Sequence, residues 1–68
     1  MEDYIAKLRQ RRIELGMTQE ELAKRLGYSE RSAIAKIETG VNELTVKKFV
    51  DMCRALNVDP ADILGLED

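Results

Sequence analysis

Histidine and tryptophan are absent from this chain, and cysteine and proline occur once each. Without histidine, the commonest general base and the commonest transition-metal ligand are both missing. The one thiol, Cys53, cannot close a disulfide within the chain. In an apolar periodic run it reads as a small buried hydrophobe, with a reactive thiol as the alternative. No apolar run reaches the roughly 18 residues of a membrane span. The opening MEDYIAKLRQRR lacks the basic-then-apolar order of a secretory signal. A cytoplasmic location is therefore expected. There is also no period-two alternation rich in β-branched residues, so no strand is predicted. Clustered acids, a glycine-rich phosphate loop and metal-ligand spacing are all missing, so no enzyme, cofactor, metal or small-molecule ligand is expected.

What is present is a short chain rich in charge: 68 residues, 35% of them charged and 44% hydrophobic, with a net charge of −2. That length suits one domain, residues 1–68, with a stability on the order of 3–10 kcal/mol. The charge is unevenly placed. The last ten residues hold four acids (Asp59, Asp62, Glu67, Asp68) and no base, leaving eleven bases against nine acids before them. Residues 7–36 alone carry eight bases and four acids. A basic face opposite an acidic tail would suit a nucleic acid; mixed charge on solvated helices would give the same count.

Four glycines and the proline punctuate an all-α pattern of five helices. The first is predicted over residues 3–15, with Ile5, Leu8, Arg12 and Leu15 on one face and Gly16 at its left-handed end. Thr18-Gln19-Glu20-Glu21 matches a capping box that opens the second helix, with Met17 and Leu22 at the staple positions. Leu22, Ala23 and Leu26 form its inner face, and Gly27 stops it. Ser29 or Ser32 could cap the third helix, whose buried side is Ala33, Ile34 and Ile37 and whose end is Thr39-Gly40. Thr45 caps a fourth helix over residues 46–57, with Leu44 and Phe49 as staple and Val46, Phe49, Val50, Cys53 and Leu56 on its apolar period. Asp59 and Pro60 open a short last helix through Leu64.

The stretch 17–40 organises the rest. Two short helices joined by a glycine turn can cross steeply if small residues meet, and Ala23 faces Ile34 at that point. The third helix would then show Arg31, Ser32, Ala35, Lys36 and Thr39 to solvent, a face suited to base edges in a major groove. Gln19 sits at the start of the second helix, where free amides favour a phosphate. The same spacing also occurs in purely structural helical domains.

The residues R-I-E-L-G-M-T-Q-E-E-L-A-K-R-L-G-Y-S, then I-A-K-I-E-T-G, then LTVKKFVDMCRALNVDPADIL, resemble the Cro/repressor-type helix-turn-helix family, the xenobiotic response element family of lambdoid repressor-like domains. The resemblance spans essentially the whole chain, with the helix-turn-helix core at 18–39. It implies a compact, lambda-repressor-like five-helix fold and a regulator, expected to be a repressor, that binds double-stranded DNA at a two-fold operator as a homodimer. It implies that Gln19 contacts a phosphate, that Arg31, Ser32 and Lys36 reach bases, and that Thr39 and Asn42 lie near the backbone. It also implies a structural ion pair between Arg12 and Glu38. Tyr28 and Ser29 stand at the turn, where the Tyr28 hydroxyl could bond a phosphate or the ring could pack. Lys47 and Lys48 read as solubility residues or as phosphate contacts.

Three departures qualify the likeness. The segment GYSERSAI is one residue longer than the commonest family pattern, which lengthens the turn or the start of the third helix and shifts the register of Ser29, Glu30 and Arg31. Ala33 and Ala35 stand where polar residues are common, which favours thymine-methyl contacts. Val41 and Glu43 replace bases in a loop, which thins the phosphate contacts. Val58, Ile63, Leu64 and Leu66 are apolar enough to suggest the dimer surface. The rival from another class is a protein-interaction module, such as an antitoxin, built on the same fold; the acidic tail and the thin loop favour it.

Overall fold

The computed structural model describes residues 4–41 and 44–66. Within them the chain forms α1 (Tyr4–Glu14), α2 (Gln19–Leu26), α3 (Ser32–Glu38), α4 (Val46–Ala55) and α5 (Pro60–Leu64), with no strand. The all-α class and the five-helix order are those expected from the sequence.

Local chemistry closes most of the helix ends. The Glu21 amide donates to Thr18 Oγ1 at 3.0 Å, and the Thr18 amide donates to Glu21 Oε1 at 3.0 Å. These bonds, the backbone one foremost, hold the Glu21 carboxyl below its usual value. At the other end of α2, Gly27 takes φ 82°, a left-handed turn that an L side chain would strain. The next amide, Tyr28 N–H, then reaches back to the Ala23 carbonyl at 2.9 Å. Thr45 accepts the Lys48 amide at 3.2 Å to start α4, and Asp59 accepts the Ala61 amide at 2.9 Å to start α5.

The core is the apolar face of every helix. Leu22, Ile34, Cys53 and Leu56 are fully buried, joined by Leu8, Met52, Ile37, Ile5, Phe49 and Ile63. Burying Leu22 and Ile34, one from each half of the α2–α3 pair, contributes about 1.5–3 kcal/mol apiece. Ala23, also buried, lets α2 lie close to α3. Desolvation, and then the charge of Asp59, pushes the Cys53 thiol up. It stays protonated at neutral pH and serves as a small hydrophobe.

Several boundaries and faces differ from the sequence reading. α1 ends at Glu14, and Asp3 lies outside the described residues. Leu15, expected on the buried face, is 41% exposed, because the chain leaves the helical path at Gly16 (φ 67°) and carries Met17 into the core instead. α4 ends at Ala55, and Asn57 (φ 52°) supplies its left-handed exit. Val46 shares the stripe of Phe49 but is 80% exposed, and Thr45, Lys47 and Lys48 are exposed beside it, so the helix start is open among the described residues. Met52, which the sequence reading left off the apolar period, is buried. Leu26, Ala33 and Val50 are only half-buried. Ile63 packs inside the chain, so it is not free surface as expected for a dimer contact, and Val58 is half-buried against the core.

Candidate nucleic-acid interface

Glu38, the last residue of α3, ties three helices together. Its side chain is 3% exposed, and the Arg12 guanidinium meets it twice: Nε to Oε2 at 2.7 Å and Nη2 to Oε1 at 3.1 Å. Arg12 also donates through Nη1 to the Met17 carbonyl at 2.7 Å. Each of the three guanidinium nitrogens of a nearly buried cation thereby has an acceptor, which helps such a pair to be tolerated. Gln19 Nε2 then donates to Glu38 Oε1 at 3.0 Å. The half-buried Gln19 amide is held at the start of α2 with its orientation set.

The rest of α3 divides cleanly. Ile34 and Ile37 are buried, while Arg31, Ser32, Lys36 and Thr39 are exposed. Ala35 is half-buried rather than open. The Thr39 hydroxyl donates back to its own helix, to the carbonyls of Ala35 at 2.9 Å and Lys36 at 3.2 Å.

The start of α3 is built differently from the sequence expectation. Neither Ser29 nor Ser32 caps it. Arg31 occupies the cap position in right-handed helical backbone and makes no side-chain cap bond. Ser32 is the first helical residue, and its hydroxyl donates to Glu30 Oε2 at 3.1 Å. In the connection before α3 the Ala33 and Ile34 amides fold back on the Glu30 and Arg31 carbonyls in a tight turn. Ser29 is exposed beside it. Tyr28 is half-buried against the core, with Lys48 Nζ 5.7 Å from its ring centre. Its ring therefore packs, and Lys48 covers it. Lys47 pairs with Asp51 at 3.2 Å. Asn42 and Glu43 lie outside the described residues.

Two residues at this face were not singled out by the sequence. Glu30 counted as an acid and as a position of shifted register, and its bond to Ser32 depends on the turn's shape. Arg9 counted only as a base; its signal was its place three residues before Arg12, on the same face of α1. No helix among the described residues is long and apolar enough to cross a membrane, and none of their His, Cys, Asp or Glu side chains cluster to hold a metal ion.

Comparison with known proteins agrees with this geometry. A helix-turn-helix family model matches residues 8–63. A solved structure described as an XRE-family like protein from Pseudomonas syringae pv. tomato str. DC3000 superposes with a TM-score of 0.83 at 36% identity, covering 93% of this chain and 76% of that one. No curated protein matches. With the motif, the five-helix fold and both matches in agreement, the chain belongs to the XRE-type helix-turn-helix family of DNA-binding regulators.

Proposed function

We propose that this protein is a sequence-specific transcriptional repressor that lays α3 in the major groove of a two-fold operator as a homodimer. In this reading residues 1–68 act as one DNA-binding domain with 18–39 as its helix-turn-helix core. The observation that carries it is the division of α3. One side is locked by Ile34, Ile37 and Glu38, and the other offers Arg31, Ser32 and Lys36 to solvent. A helix held this firmly presents donors for guanine O6 and N7, and the Ala35 methyl suits a thymine methyl. Gln19, Tyr28, Ser29, Thr39 and Asn42 serve the backbone side of the contact.

The two copies of α3 would lie about 34–36 Å apart, one turn of duplex. With Ile63 inside the core, the dimer contact of this reading rests on Leu64 and Leu66, which are 47% and 71% exposed. Selection of bound sites from random duplexes yields the operator, and titration of Lys36→Ala against it should cost about 1–3 kcal/mol and relax the preference at one position. Full DNA retention by both Arg31→Ala and Lys36→Ala sinks the reading in favour of a protein-interaction module, which the exposed Val41 and Val46 would suit. Sedimentation of the chain on its operator tests the dimer, and a monomer there removes it.

A further inference from the structure

The three arginines of α1 divide between two places: Arg9 and Arg12 face Glu38, and Arg11 turns to the end of α4. Arg12 is the buried strut to Glu38. Arg11, on another side of the helix, donates through Nε to the Leu56 carbonyl at 3.1 Å and through Nη2 to the Asn57 carbonyl at 3.3 Å. It satisfies the end of α4 and lies away from α3. Arg9 stands three residues before Arg12 and turns to the same carboxylate, its Nε 3.8 Å from Glu38 Oε1.

That distance is beyond a hydrogen bond. The oxygen in question already accepts from Arg12 Nη2 and from Gln19 Nε2, so Arg9 is a surplus cation at a carboxylate that is satisfied without it. Two guanidiniums face one carboxylate, leaving a net positive charge at this point. The Arg9 side chain is 58% exposed, against 3% for Glu38. Because Arg9 and Gln19 approach the same oxygen, their polar ends are neighbours on the surface at the end of α3. A guanidinium offers a planar fork that fits phosphate oxygens, and Gln19 keeps a second amide proton beyond the one given to Glu38.

We propose that Arg9, beside Gln19, binds one backbone phosphate of the duplex, and so extends the contact from the helix-turn-helix onto α1. This rests on the DNA-binding reading above. A phosphate contact is blind to sequence, so a mixed-sequence duplex is a sufficient probe. Titration of wild type, Arg9→Ala, Arg9→Lys and Arg11→Ala over a salt series reads it directly. Arg9→Ala should flatten the log–log salt slope by about 0.9, so that the wild-type advantage shrinks about 3.5-fold between 50 and 200 mM salt. Arg9→Lys should restore most of the slope, because charge sets it. Arg11→Ala should keep the wild-type slope. Melting curves confirm that each variant is folded, and Arg9→Ala, an exposed change to a good helix former, should melt as wild type does. A steep wild-type slope left unchanged by Arg9→Ala overturns this proposal alone. A wild-type slope near zero overturns it together with the DNA-binding reading.

Discussion

α2 is closed at both ends by its own neighbours, Thr18 with Glu21 at the start and Gly27 at the finish, whereas α3 starts with no side-chain cap and is anchored at its far end by Glu38. The two helices are consecutive and nearly equal in length, at eight and seven residues. The difference lies in the range of the bonds. Those that frame α2 span three or four residues, while the one from Arg12 to Glu38 spans 26. α2 can therefore be specified locally, and α3 takes its orientation from α1 and α2. α3 is thus fixed at the end away from its first turn. Arg31 and Ser32 are left uncommitted to capping.

If that contrast is right, the largest effect comes from breaking the distant anchor. Glu38→Ala leaves Arg12, 9% exposed, without its carboxylate, and should cost about 3–5 kcal/mol in chemical denaturation. Against a total on the order of 3–10 kcal/mol, much of the population would unfold. A loss below about 1 kcal/mol would mean that apolar packing alone holds α3.

The local frame of α2 should matter less. Thr18→Ala removes one cap and should cost about 1 kcal/mol. The same box carries a pH signature. The Glu21 carboxyl titrates lower when folded than when unfolded, so its stabilising effect is present above its ordinary value of 4.5 and is lost as the pH falls through the folded-state value. The melting difference between wild type and Glu21→Ala should therefore narrow in acid. An unchanged difference would separate the box from the ionised carboxylate.

The smallest effect should come from Ser32→Ala. Its hydroxyl bonds only the exposed Glu30 carboxylate, so stability should change by no more than about 0.5 kcal/mol while affinity for DNA falls. A destabilisation equal to that of Thr18→Ala would show that Ser32 acts as a cap in solution and would erase the contrast between the helices.

Much of the scaffold was legible because its causes are local. The capping box at Thr18, the cap at Thr45, the Asp59-Pro60 start and the glycine at position 27 each act within a few residues. Helical period alone placed Leu22, Ile34, Ile37, Phe49, Cys53 and Leu56 in the core. It failed at helix ends, for Leu15 and Val46, because period gives a direction and not whether another element reaches that far. The start of α3 failed for a related reason. Two serines of equal propensity offered themselves as caps, and the path of the chain between Gly27 and α3 gave the cap position to Arg31.

Sequence by itself determined the helix order, the caps of α2, α4 and α5, and the family, since these rest on short-range hydrogen bonds and on a motif. The pairing of Arg12 with Glu38 was already implied by the family resemblance, whereas only the tertiary structure decided what Arg9 and Arg11 do. Arg9, Arg11 and Arg12 are chemically the same and nearly adjacent. Their roles differ because turns of about 100° per residue send them toward partners 29, 45 and 26 positions away.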